Sequence, residues 1–128
     1  MEKIKDRLII GTEETIILED GNKYRAKIDT GADSSSIDKK LLESFGDKEI
    51  IEHKYFRSAL GRHKRPITRL EITFQGIKFT ENFNISDRSN LKFKILIGKD
   101  ILKKEGFLID PLKNLTLKNK NKNLKEFS

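Results

Sequence analysis

Apolar and polar residues alternate along much of this chain with the period of half-buried strands. Ile72 and Phe74 alternate with polar neighbours in "RPITRLEITF" (65–74). Ile77, Phe79 and Phe83 do so less regularly in "IKFTENFNI" (77–85), and "QG" (75–76) turns one segment into the other. "TIILE" (15–19) and "KYRAKID" (23–29) flank "DGN" (20–22), whose Asp-Gly step predicts a hairpin. "EIIEHKYF" (49–56) reads as a strand joined to 65–74 by a basic, Gly-containing turn, "RSALGRHK" (57–64). "FKILIG" (93–98) is a continuous apolar run, the kind buried on both faces, and "FLIDP" (107–111) is a last core strand ended by Pro111.

Two segments break this period. "SIDKKLLESFG" (36–46) predicts a short helix capped by Asp38 or Ser36, with Leu41, Leu42 and Phe45 as its apolar face and Gly46 as its stop. "KDILKKEG" (99–106) predicts two helical turns ending at Gly106. No repeat or internal linker interrupts the chain. The tail "KNKNKNLKEFS" (118–128) is Lys/Asn-rich and reads as peripheral. The pattern predicts one all-β domain with one or two short helices over 1–112, followed by a terminal strand and tail over 113–128.

Composition narrows the function classes. A chain of 128 residues builds one domain with a modest core. Its 27 basic and 20 acidic residues give a net charge of +7. That balance suits an acidic partner, or simply keeps a small protein soluble. The absence of cysteine excludes disulfides and thiolate chemistry. "MEKIKDRLIIG" lacks the apolar region of a signal peptide, and no apolar run approaches a membrane span. The expectation is a soluble, cytoplasmic protein with no membrane partner.

The chemistry concentrates in "KIDTGADSSSID" (27–38), where an apolar strand runs into Asp29 inside a tight turn. Such a carboxylate either is solvated and caps the next helix, or acts as an acid. A carboxylate that activates water for amide hydrolysis needs a partner to hold the other proton. Two carboxylates about 3 Å apart cannot both ionise, so they share a proton and serve as base and acid. Gly31 then permits the tight turn, Thr30 offers a hydroxyl to lock the loop, and Ala32 leaves room for a substrate backbone. The chain holds one Asp-Thr-Gly and is too short for two such domains. A symmetric homodimer supplying Asp29 twice is the economical solution.

Taken together, "IDTGADSSSID", a basic Gly-containing hairpin and "ILIGKDIL" (95–102) resemble the retropepsin-like aspartic proteases, in order and spacing, from about residue 13 to residue 110. Within that family, "DTGA" (29–32), "RSALGRHKRP" (57–66), "DRSNLKFKILIGKDIL" (87–102) and "FLIDP" are similar to a RimK-associated microbial subgroup often labelled ATP-dependent zinc protease. The resemblance implies a half-barrel active as a homodimer, with Asp29 as catalytic acid/base supported by Thr30 and Gly31. It implies that Ala32 and Asp33 border the substrate cleft. Asp33 would pair with Lys99, where the family more often has Arg; Lys cannot make the same bidentate fork. It implies a flap over 54–69 with its tip near Ala59–His63, so that Arg57, Ser58, Ala59, Leu60 and Gly61 face substrate. Gly98, Lys99 and Asp100 would support the loop from the second motif, Asp100 as a helix-start residue. In the resembling segments, Asp87, Arg88 and Ser89 read as a turn without assigned chemistry. "RLIIG" (7–11) and "NLTLK" (114–118) would meet at the dimer interface.

The zinc and ATP of the subgroup's label find no support in the residues. His53 and His63 are the only histidines, and neither a His-Glu-x-x-His motif nor a phosphate-binding glycine loop occurs. No cofactor and no metal is expected. Between residues 53 and 69 stand Lys54, Arg57, Arg62, Lys64, Arg65 and Arg69, with no acid. A flap so charged favours an acidic peptide, and the RimK association implies glutamate-tailed protein. The alternative function is a non-catalytic dimeric module that binds acidic tails or RNA. Nucleic acid is not the expected partner, because no aromatic-interleaved stacking motif is present and RNA binding leaves the intact Asp-Thr-Gly without a role.

Overall fold

The computed structural model describes residues 3–113, with Ser58 described by its backbone. The segment 114–118 and the tail, including the expected terminal strand, lie outside the described residues. The strands are β1 (Lys3–Ile4), β2 (Arg7–Ile10), β3 (Glu13–Ile17), β4 (Lys23–Ile28) and β5 (Ser36–Asp38), then β6 (Ile50–Ser58), β7 (Gly61–Phe74), β8 (Ile77–Ser86), β9 (Ile95–Ile97) and β10 (Leu108–Ile109). The helices are α1 (Lys39–Glu43) and α2 (Lys99–Glu105). None of the described helices is long and apolar enough to cross a membrane.

Seven strands lie in the order β3-β4-β9-β5-β8-β7-β6, and β3 also pairs with β7. That extra pairing curls the sheet back on itself and leaves the β6–β7 hairpin projecting from one end. Closure hides the outer edge of β3, which would otherwise invite another chain. The alternation of the sequence explains the inside: Ile16, Ala26, Leu70, Ile72, Phe74, Phe83, Ile95 and Ile97 are buried. Phe107 closes the base of this core. It stacks on Phe74 with ring centroids 5.5 Å apart and meets Phe79 edge-on at 5.6 Å, geometries that aromatic quadrupoles favour.

The "RLIIG" segment pairs within its own chain. β2 runs antiparallel to β1 on one side and parallel to β10 on the other. Both of its edges are therefore taken.

Two elements differ from the sequence pattern. Residues 36–38 form a strand, because Ser36 and Ile37 pair with β8 on one side and β9 on the other, inside the core. The helix is confined to 39–43, and Asp38, not Ser36, caps it by accepting from the Leu41 N–H. The basic turn over 57–64 is mostly strand. β6 and β7 stay paired out to Ser58 and Gly61, and only Ala59 and Leu60 form the turn. Gly61, at φ +119°, takes the left-handed backbone that closes it.

Candidate active site

β9 lies between β4 and β5, parallel to the first and antiparallel to the second. The loop 29–35 must therefore cross the end of β9. This crossing brings "DTGADSS" against "GKD", although 65 positions separate Ser35 from Asp100.

Each contact at the crossing has a specific donor. The Asp29 N–H donates to the Ile97 carbonyl (2.9 Å), and the Lys99 N–H donates to the Ala32 carbonyl (2.7 Å). The Gly98 N–H donates to Ser35 Oγ (2.8 Å). Ser35 Oγ donates to Asp100 Oδ1 (2.6 Å), and the Ser35 N–H donates to Asp100 Oδ2 (3.0 Å). The approach is too close for a side chain at residue 98. A Cβ there would stand 2.8 Å from the Ala32 carbonyl oxygen and 3.0 Å from the Ser34 carbonyl.

Asp29 sits at the end of β4 with its backbone clamped and its carboxyl aimed. The Gly31 N–H donates to Asp29 Oδ1 (2.8 Å), an Asx turn that fixes one oxygen. The other oxygen, Oδ2, lies 3.8 Å from the Lys27 ammonium, and the carboxyl remains partly exposed. Thr30 is exposed and makes no hydrogen bond among the described residues. Asp33 and Lys99 form an ion pair at 2.8 Å. The hydrogen bond from Lys99, with the field of its charge, holds the Asp33 carboxyl below the usual carboxylate range.

A cavity of about 290 Å³ opens beside this loop, under the projecting hairpin. Ala32 and Asp33 line one side, Phe56, Arg57, His63 and Arg65 of the hairpin another, and Asn84 and Arg88 a third. Larger hollows of about 420 and 500 Å³ open elsewhere, but no residue of 29–34 lines either.

Of the expected site residues, the structure gathers Ala32, Asp33 and Arg57 at this cavity. It gathers Asp29, Gly31, Gly98, Lys99 and Asp100 at the crossing. Ala59, Leu60 and Gly61, at the hairpin tip, do not line the cavity; Leu60 there is 91% exposed. His53 lies opposite Pro66 and His63 opposite Phe56, on the same hairpin. Among the described residues, no three His, Asp or Glu side chains are grouped as metal ligands.

Four residues of the site are not legible in the sequence. Ser35 is the hub of the crossing, and its only signal is its place just after "DTGAD". Lys27 alternates outward two residues before Asp29. Asn84 is a buried polar residue between Phe83 and Ile85. Arg88 stands in a segment whose resemblance came without a role.

Solved structures share this architecture. A Legionella pneumophila protein of unknown function (DUF785) superposes with a TM-score of 0.62 at 23% identity, over 85% of this chain and 97% of its own. The retroviral protease-like domain of Ddi1 from Leishmania major gives 0.57 at 16% identity, over 79% and 80%. A retropepsin-like aspartic protease from Rickettsia conorii gives 0.54 at 22% identity, over 77% and 75%. No protein-family model matches the chain, and no curated protein sequence matches it. At these identities the likeness is one of fold: the chain is a mostly β, retropepsin-like half-barrel.

Proposed function

We propose that the chain is an aspartic endopeptidase whose active site forms when two copies bring their Asp29 carboxylates together. One observation carries this reading. Asp29 is the carboxylate at the crossing loop whose backbone is clamped to Ile97 and whose Oδ1 is aimed by the Gly31 N–H. A turn that merely capped a helix would need none of this: the helix cap belongs to Asp38, nine residues on.

In the dimer the two carboxylates share one proton. The ionised one takes a proton from a water lying between them as that water attacks the scissile carbonyl. The protonated one donates to the carbonyl oxygen as it gains charge, and the leaving amine is later protonated by the same pair. The Thr30 hydroxyl, exposed in one chain, would lock the loop within the pair. The hairpin closes over bound peptide and excludes water.

The substrate we propose is acidic, in keeping with the RimK-associated subgroup and its glutamate-tailed proteins. Along the hairpin, Arg57 lies directly opposite Arg62, and Lys54 opposite Arg65. Like charges facing each other across a ribbon destabilise it; Lys54 is answered by Glu52 at 3.2 Å, so an acidic peptide beneath would relieve Arg65 and Arg57, which line the cavity.

The test is cleavage of mixed and Glu-rich peptides by the full chain and by Asp29→Asn. Cleavage by the wild type that vanishes in the variant is the expected result. Equal behaviour of the two proteins would reject the peptidase and leave a module that binds acidic tails.

A further inference from the structure

The cavity under the hairpin is built for a charge it does not itself contain. Its cationic walls are Arg57, Arg65 and Arg88. Its one acid, Asp33, is already engaged by Lys99 at 2.8 Å. Among the described residues, neither the Arg65 nor the Arg88 guanidinium has a carboxylate within ion-pair distance, although the Arg88 backbone N–H meets Asp38.

Both guanidiniums are held in place. Asn84 is buried, and its amide nitrogen donates to Ser34 Oγ (3.0 Å) and to the Ser35 carbonyl (2.9 Å). That points the amide oxygen the other way, where it accepts from Arg65 Nη1 at 3.4 Å. The Arg65 guanidinium also lies 5.3 Å from the Phe56 ring centroid. Arg88 is anchored twice: its Nε donates to the Phe93 carbonyl (2.8 Å) and its backbone N–H to Asp38 Oδ1 (2.7 Å). Its terminal nitrogens are left for the cavity. Burial works against the Arg88 charge, the field of Asp38 supports it, and the nearby Arg65 charge opposes it.

Two positioned cations that repel each other in a half-buried cavity are an unfavourable arrangement in the empty protein. One carboxylate between them would offset both desolvation and repulsion. Guanidinium forks match a carboxylate in geometry as well as in charge.

We propose that this cavity is a subsite for a single carboxylate of the bound peptide, with Arg65 and Arg88 as its specificity-determining residues and Asn84 as a positioning residue. This deepens the peptidase reading above and rests on it for the identity of the ligand as a peptide. The carboxylate has two sources, an acidic side chain and a free chain terminus. The nearness of the cavity to Ala32, three residues past Asp29, puts either within reach of a peptide lying on the catalytic loop.

The test reads binding and cleavage separately. The Asp29→Asn protein is titrated with fluorescent peptides carrying Glu or Gln at each position in turn, with free or amidated C-termini. One position where Glu binds about tenfold or more tightly than Gln is expected, as for a charge-assisted hydrogen bond. Arg65→Met and Arg88→Met, each in the Asp29→Asn background, should bring that ratio close to one, and Arg65→Lys should restore part of it. A preference for the free over the amidated terminus, with no side-chain preference, would assign the subsite to a chain end. Absence of any Glu/Gln or acid/amide preference, or a preference untouched in both Met variants, overturns the proposal. If the wild type also cleaves no peptide, the peptidase reading fails by itself, and the binding ratios still decide the subsite.

Discussion

Ser35 and Asp100 are joined twice, hydroxyl to Oδ1 and backbone N–H to Oδ2, and the same hydroxyl accepts from Gly98. Ser35 is fully buried, so its loss cannot be made good by water. Ser35→Ala leaves the Gly98 N–H without its partner and takes one of two donors from Asp100 Oδ1, which keeps the Ile101 N–H. We expect a loss of about 1–3 kcal/mol in unfolding free energy, read as a lower denaturant midpoint at unchanged slope. An unchanged midpoint would show that the crossing is held by the backbone alone.

Glycine substitution should separate fold from chemistry. Gly98→Ala places a Cβ against backbone atoms at 2.8–3.0 Å, and backbone cannot swing aside. The expected outcome is a destabilised protein, by about 1–3 kcal/mol as for other overpacked sites. Gly31→Ala meets only the Asp29 carboxyl, at 3.2 Å. That variant should melt close to the wild type yet cleave about a hundredfold more slowly, because its carboxylate must turn away. Thermal melts beside cleavage rates decide it.

Subunit mixing tests whether two chains share one site. A fixed amount of wild type, allowed to exchange with a threefold excess of Asp29→Asn, should keep about one quarter of its activity. Each wild-type chain then finds a wild-type partner one time in four, at random pairing in a two-fold dimer. Unchanged activity would mean that one chain suffices.

Glu81 gives the fold a pH dependence independent of the site. Its side chain is buried, Lys104 Nζ donates to Oε2 at 3.1 Å, and Oε1 has no hydrogen-bond partner. Burial raises its pKa above the ordinary value of 4.5, against Lys104, and the charge of Glu105 adds to the rise. The folded state thus holds this proton more tightly than the unfolded state does. The contribution is fully present below the unfolded pKa and is lost as pH rises through the folded one. Glu81→Gln should therefore lose less stability than the wild type as pH rises above the ordinary value of 4.5. Parallel stability curves for the two proteins would rule this out.

Much of the fold was legible because the strands of 15–29 and 65–85 have a clear inner and outer face. Ile16, Ala26, Ile72, Phe74 and Phe83 are where the alternation puts them. The Asp-Thr-Gly turn and the apolar run into Gly98 were legible as a pair, since each ends a strand at a glycine. Residues 36–38 were not, because Ser-Ile-Asp carries no period of its own. Its partners at Asn84 and Leu96 come from far along the chain. The hairpin's length was hidden for a related reason: Arg, His and Lys in 57–64 carry the polarity of a turn, while the cross-strand ladder overrides it. Arg65 and Arg88 are 23 positions apart, and only closure of the sheet turns both toward one cavity.

The seat of β9 between β4 and β5 also orders events as the chain folds. The loop 29–35 is anchored by Ile97, Gly98 and Asp100, so it cannot take its shape until more than three quarters of the described chain is available. Contacts of such long sequence separation form late, because the intervening loop must be closed before they repay its entropy. A growing chain therefore carries Asp29 from early in synthesis, but as an ordinary solvated carboxylate. On the proposed peptidase reading, hydrolytic power would be withheld until the domain is nearly complete, which would protect both the nascent chain and its neighbours.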